Sequence, residues 1–315
     1  MLKIAQHLQN HKAFNAVFNQ DKLSFGLIAP FKGYGGHSPD MSDWLDIARA
    51  LDQSAISALW IRDVPFYDPS FGDTGQIYDP FVFASFLAAN TSKIAIGTAG
   101  IIAPFREPIN ATKSATSLDI LSNERFIFGL STGDRMSEYE AFGENYLKRG
   151  DRFKEWWQIS RALQKEDFLN LQTKEYGNFN AHLDFLPKKS LAMVAVGRCR
   201  QELSWLANIP DAWITHGIHP DNIQSITQSL RELNKDNIYR PFAYANFVEL
   251  TADPNYEVKL WNNIFVRGGV KKVVQYYMNQ YKNGLSHILL NLRPSELEPI
   301  SMLNDLSEEI SKYKA

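Results

Sequence analysis

The chain's 315 residues, 44% of them hydrophobic, are enough for one large core, and a single α/β barrel fits that length better than two independent folds. Its 33 basic and 35 acidic residues leave a formal charge of -2, which gives no electrostatic footprint for nucleic acid or an anionic membrane, so neither is expected as a partner. A single cysteine, Cys199, excludes an internal disulfide, and a polar opening stretch without a signal-peptide core points to a soluble, cytoplasmic protein.

Leu2, Ile4, Leu8, Phe14, Val17 and Phe18 give residues 1–20 a loosely helical apolar pattern, read as an extension that lies across the barrel or docks a partner. Residues 23–29 form the first strand, closed by Pro30. The glycine-rich stretch 31–36 is either a flexible connection or, through Tyr34, a cover over a ligand. An amphipathic helix follows at 43–53, with Trp44, Leu45, Ile47, Ala48 and Leu51 inward. The second strand, 58–62, ends in Arg62 and Asp63, whose charges need partners if buried: they are an ion pair or polar handles of a site. Residues 64–80 hold too many turn formers for a minimal connection and read as a lid, before a helix at 81–90.

Residues 94–102 are rich in isoleucine and apolar on both sides, as in a strand buried on both faces of a parallel sheet. Thr98-Ala99-Gly100 then places small residues where something flat can pack against the backbone. Pro108 opens a helix running to about Ile120. Residues 126–130 form the next strand, which stops at Ser131-Thr132-Gly133, so two parallel strands deliver small groups to one rim. After a polar stretch at 134–150, the aromatic stripe Trp156, Trp157, Ile159 and Leu163 marks a core-facing helix over 153–168. Residues 169–189 lack periodicity and read as an insertion between strands four and five.

The fifth strand, 191–196, meets Gly197-Arg198-Cys199-Arg200-Gln201 directly before a helix. A glycine, free N–H groups at a helix start and two arginines suit a phosphate, unless the arginines merely solvate a surface turn. Cys199 beside them is either a low-pKa reactive thiol or a packing residue. Strand six, 212–215, ends at His216-Gly217. His216 is a candidate site residue, and it forms no metal pair with His219 because no acidic or cysteine partners stand at ligand spacing. A helix capped by Asp221 (221–233), strand seven within 241–250, a helix (270–281), strand eight (287–292) and a last helix (303–313) complete a single-domain (β/α)8 TIM barrel over 1–315.

The ordered series Ala99-Gly100-Ile101-Ile102-Ala103-Pro104, Pro108, Ser117-Leu118-Asp119-Ile120-Leu121-Ser122, Arg125-Phe126-Ile127-Phe128-Gly129, Glu140-Ala141-Phe142-Gly143 and Arg149-Gly150 resembles the bacterial luciferase-like flavin monooxygenase superfamily, over residues 14–291. The resemblance implies a flavin ring packed on a non-prolyl cis peptide at Ala99–Gly100. It also implies Thr132 reaching the flavin, residues 197–201 (Gly197, Arg198, Cys199, Arg200, Gln201) on its phosphate, and Asp63 beside the ring. Asp63 and His216 are the catalytic candidates. Val64 stands where luciferases carry a histidine, which argues against light emission, and Asn123-Glu124 replaces a glycine pair as a turn variation.

The function implied is a monooxygenase that uses O2 and reduced FMN, supplied by a separate flavin reductase, to oxidise a small organic substrate. The lack of a G-x-G-x-x-G fingerprint agrees with external reduction. A deazaflavin-dependent hydride-transfer oxidoreductase and a non-catalytic flavin-binding protein remain as alternatives. A barrel aldolase or glycosidase lacks a Schiff-base lysine or a carboxylate pair at the strand ends. Family analogy implies a homodimer.

Overall fold

Alternation along each barrel strand supplies two cores at once, because successive side chains point to opposite faces of a sheet. In a computed structural model, which describes residues 2–33, 39–68, 70, 77–165, 169–181 and 190–313, eight parallel strands close on themselves. They are β1 (Ser24–Ile28), β2 (Ala58–Ile61), β3 (Ala95–Thr98), β4 (Phe126–Ser131), β5 (Met193–Val196), β6 (Ala212–His216), β7 (Phe242–Leu250) and β8 (Leu285–Asn291). Each pairs with the next, and β8 returns to β1 with His287 opposite Ser24. Outward residues such as Leu59, Ile61, Ile96, Phe126 and Phe128 pack under the helices, which include Trp44–Gln53, Pro80–Asn90, Pro108–Leu121, Arg149–Leu163, Ile223–Leu233, Val270–Tyr281 and Pro299–Ser311. Inward residues, among them Ala58, Trp60, Ala95, Ile127, Val194, Ala212 and Leu289, form the second core.

Trp60 fills the barrel interior because glycines flank it: a Cβ at Gly26 or Gly97 would lie 2.6 or 2.4 Å from its ring. Its indole N–H donates to His287 Nε2 at 2.9 Å, and His287 Nδ1 lies 2.6 Å from the Ser24 hydroxyl, which itself donates to the Val17 carbonyl. Burial pushes the His287 pKa down to about 3, so the ring is neutral. With Nε2 accepting, the proton sits on Nδ1. Residues of the first twenty reach the same core: a 3-10 turn (Gln6–Leu8) and a helix (Lys12–Val17) bury Leu8, Phe14, Val17 and Phe18 against the inward strand residues at the N-terminal mouth.

Several sequence expectations change. Residues 169–189 contain a two-stranded antiparallel hairpin, Leu169–Gln172 with Asn178–Ala181, where no periodicity had suggested strands. Residues 182–189 of that insertion lie outside the described residues, as do Tyr34, Gly35 and Gly36 and residues 69 and 71–76 of the expected lid. The helix after Gln201 is only one turn, Leu203–Leu206. Asp221 is not a cap; the His219 ring accepts the Asp221 N–H at the start of a 3-10 turn that leads into the helix. The strand expected over 94–102 is interrupted and resumes as Ile101–Ile102. Two further short strands, Lys259–Trp261 and Phe265–Gly268, extend the sheet beside β7. Asn123 and Glu124 both adopt left-handed backbone (φ 61° and 62°), the conformation a glycine pair would take without strain. Among the described residues, no helix is long and apolar enough to cross a membrane.

Candidate functional site

At the C-terminal end of β3 the ladder to β4 is broken by a side chain. The Thr98 hydroxyl accepts the Gly129 N–H at 2.9 Å and donates to the Gly129 carbonyl at 2.8 Å, taking the place of backbone partners. The approach is so close that a Cβ on Gly129 would sit 1.7 Å from the Thr98 carbonyl oxygen. The next peptide, Ala99–Gly100, is cis. A Cβ on Gly100 would lie 2.9 Å from Val196 Cγ2, so only glycine lets β5 approach the bulge. Beyond it, Ile101 and Ile102 pair with Leu130 and Ser131, and the Ser131 hydroxyl donates to the carbonyls of Gly100 and Ile101 at 3.1 and 3.3 Å.

Asp63, at the end of β2, is committed to this bulge. Its carboxylate accepts the Ile102 N–H at 3.0 Å and both Nε (3.1 Å) and Nη2 (2.9 Å) of Arg106. Arg106 reaches Asp79 as well, at 3.1 Å. Burial works against the charge of Arg106, but the two carboxylates outweigh it and hold its pKa above the usual value. The two ends of the segment 63–79 are thus drawn to one guanidinium.

Thr132 follows β4 and is buried; its carbonyl accepts the Tyr139 hydroxyl. Cys199 packs beside it. The Cys199 thiol is buried, lies against the Thr132 N–H, and donates to the Val196 carbonyl at 3.2 Å. Burial pushes its pKa well up, which suits a packing residue better than a reactive thiol.

The turn after β5 is left-handed at Gly197 (φ 74°), Cys199 (50°) and Arg200 (57°). The Gly197 N–H is used by the Ile214 carbonyl and the Gln201 amide reaches Gly150 and Cys199 carbonyls at 2.9 and 3.0 Å. Among the described residues, the N–H groups of Arg198, Cys199 and Arg200 have no acceptor and both exposed guanidiniums have no carboxylate partner. A helix of one turn adds no dipole of consequence, so the capacity for an anion rests on this concave run of N–H groups and the two arginines. His216 ends the adjacent strand, exposed and without a hydrogen-bond partner among the described residues. The rim therefore gathers Asp63, Ala99, Gly100, Thr132 and the 197–201 turn through direct contacts, with His216 on the neighbouring strand.

The sequence reading missed three parts of this rim. Thr98 and Arg106 act through partners about thirty and forty residues away. A buried pair, Arg135 and Glu138, stands just beyond Thr132 at 3.3 Å. Burial pushes the Glu138 pKa up to about 7; Arg135 opposes this, while Asp134, Asp63 and Asp68 add to it. An i, i+3 acid–base pair was the available signal. Among the described residues, no group of three His, Cys, Asp or Glu side chains stands close enough to hold a metal. A cavity of about 720 Å³ lies at the opposite end of the barrel, bordered by Trp213, Tyr239, Phe242 and Leu285.

Comparison with known proteins agrees with this architecture. The chain is 24% identical over 217 residues to an uncharacterised protein of Mycobacterium tuberculosis, covering 64% of this chain and 75% of that one. It is 30% identical over 174 residues to the 4-hydroxyprotoasukamycin monooxygenase of Streptomyces nodosus subsp. asukaensis, covering 54% of this chain and 45% of that enzyme. Among solved structures, a monooxygenase from Streptomyces bottropensis superposes with a TM-score of 0.76 at 13% identity, over 93% of this chain and 100% of that one. An F420-dependent secondary alcohol dehydrogenase bound to an F420-acetone adduct gives 0.74 at 15%, over 92% and 98%. The oxygenating constituent of 3,6-diketocamphane monooxygenase from Pseudomonas putida, in complex with FMN, gives 0.73 at 13%, over 92% and 98%. A family model for luciferase-like monooxygenases matches residues 23–251, from the first barrel strand to the end of the seventh, and the chain belongs to that family.

Proposed function

We propose that the protein is a reduced-FMN-dependent monooxygenase that uses O2 to oxidise a small organic substrate, with the flavin reduced by a separate reductase. The observation that carries the reading is the bulge at Ala99–Gly100, held by Thr98 and Asp63, next to a turn whose N–H groups and two guanidiniums have no partners among the described residues. The donor set fits the cofactor, since a flat ring needs a smooth backbone surface without side chains and a phosphate needs N–H donors and cations. Ala99 and Gly100 would carry the ring, Thr132 its polar edge, and Gly197, Arg198, Cys199, Arg200 and Gln201 the phosphate. Bound there, reduced FMN would supply the electrons for oxygen activation.

The chain's own part is to bind, orient and exclude water. Asp63 acts as a positioning residue by fixing the Ile102 N–H and Arg106, and His216 is the side chain assigned to proton exchange at the rim. The same reading makes the protein cytoplasmic, reductase-dependent and homodimeric. A second reading, a deazaflavin-dependent hydride-transfer enzyme, is favoured by the fold shared with the F420-dependent dehydrogenase.

Anaerobic titration with reduced FMN, then mixing with air-saturated buffer, tests the proposal. Saturable binding with oxygen uptake tied to the bound flavin is expected. Binding of reduced F420 and not of FMN would move the assignment to the second reading. Flavin binding without turnover, when a flavin reductase, a nicotinamide reductant and a panel of small organic substrates are added, would leave a non-catalytic binder.

A further inference from the structure

β7 is the longest barrel strand, and it overshoots the rim. Its last residues, Val248 to Leu250, pair in parallel with Phe265–Gly268, which pairs antiparallel with Lys259–Trp261, making a small flap above the mouth. The hairpin turns at Asn262 and Asn263, both left-handed (φ 50° and 62°). It is anchored to the rim, because the Asn246 amide donates to the Ile264 carbonyl at 2.9 Å and Ile264 lies over Gly217, next to His216.

One face of the flap looks into the mouth. Phe247 alternates with Ala243 and Ala245, which belong to the inner core, so it shares their inward side. Phe265 packs edge-on against Phe247 at 5.0 Å, and Trp261 is tilted by 59° against Phe265 at 5.3 Å. All three rings are only half-buried. Further up the same face the residues turn charged: Arg267 pairs with Glu249 at 3.3 Å, and Lys259 lies beside Tyr256. The face is therefore aromatic at the mouth, where the buried Arg293 guanidinium lies 5.8 Å over the Phe247 ring, and carries an ion pair at its outer end. In an eight-stranded closed barrel β7 stands four strands from β3 in either direction, so this wall faces the Ala99–Gly100 bulge across the opening.

We propose that Phe247, Phe265 and Trp261 form the substrate wall of the site and select an aromatic substrate over a straight-chain one. The inference rests on the flavin reading above, which assigns the opposite wall to the ring. Three rings held at 78° and 59° to one another make a rigid, angular wall of faces and edges, and they complement another ring through edge-to-face contact better than a flexible chain, which gains little from such geometry and must be ordered to use it. The charged end above closes the wall and keeps it short.

Calorimetry with 2-acetonaphthone and with the straight-chain methyl ketone of the same carbon count, on the full chain with and without FMN, tests this. The naphthyl ketone should bind more tightly. F265A should weaken it about tenfold, the size of a ring–ring contact, with W261L losing less and FMN affinity unchanged in both. F265L, which keeps most of the apolar volume, guards against a folding defect and should show the same selectivity loss. Equal affinity for the two ketones, or variants that lose stability but not naphthyl affinity, would overturn the inference and leave the flavin assignment standing. Failure of the wild type to bind flavin would remove that assignment, and the wall would still be judged by the ketone titrations on the flavin-free chain.

Discussion

The two mouths of the barrel are built from opposite materials. At the N-terminal mouth, large side chains fill the space and polar groups satisfy one another: Trp60 donates to His287, His287 meets Ser24, and Ser24 reaches a helix carbonyl. At the C-terminal mouth, glycines and a threonine hydroxyl bring backbones together, and the Arg198 and Arg200 guanidiniums and His216 are left without partners among the described residues. Satisfied burial marks the end that holds the fold. Unspent donors mark the end that can hold a ligand.

The contrast is broken most sharply at Trp60. Trp60→Ala should cost about 3–5 kcal/mol in chemical denaturation, because a large inner-core ring is removed and His287 loses its donor. The affinity of the refolded protein for FMN should be nearly unchanged. A matching loss of flavin affinity would show that the two ends are not separable.

Asp63→Asn comes next. It weakens the clamp on Arg106 and the Ile102 N–H, for about 2 kcal/mol. Here flavin affinity should fall as well, since the clamp holds the bulge. Stability loss with intact binding would remove Asp63 from the site.

The two mouths should also titrate in opposite directions. His287 has a folded pKa well below that of a free imidazole, so its contribution is present above the unfolded value and is lost as pH falls toward 3. Glu138 has a folded pKa raised to about 7, so its contribution is present below the unfolded carboxylate value of 4.5 and is lost as pH rises through 7. Screened by Arg135 and solvent, the second effect should amount to about 1–2 kcal/mol. Denaturation curves from acid to neutral pH should show it, and Glu138→Gln should flatten the curve between 4.5 and 7.

The smallest change in stability belongs to the double substitution Arg198→Gln with Arg200→Gln, within about 0.5 kcal/mol because both side chains are exposed. Its effect on binding should be large by comparison. FMN affinity should drop about tenfold or more and lose its dependence on salt, while riboflavin, which has no phosphate, binds as before. An equal loss for both ligands would take the phosphate away from this turn.

The barrel was legible from local pattern. Isoleucine-rich β3, the glycines at its end and Pro108 at the following helix are all short-range signals, and they fixed the helix and β4 to within a residue, while the strand expected over 94–102 breaks after Thr98. The cis peptide came from the resemblance alone, since no local pattern separates it from an ordinary bulge. Pairings over long sequence distances were not readable: Arg106 with Asp63, Thr98 with Gly129, and His287 with both Ser24 and Trp60 depend on closure of the barrel. The flap was missed although Asn262-Asn263 is a hairpin signal, because three-residue and four-residue strands carry too little alternation to register. The hairpin at 169–181 escaped for the same reason.

The plug at the N-terminal mouth sets an order on synthesis. Leu8, Phe14 and Phe18 leave the ribosome long before the pocket that receives them is complete, since it includes Leu289, and Ser24 waits for His287, 263 residues later. Until β8 is made, the opening segment has no finished surface to dock on and its aromatic residues stay available to other chains or to chaperones.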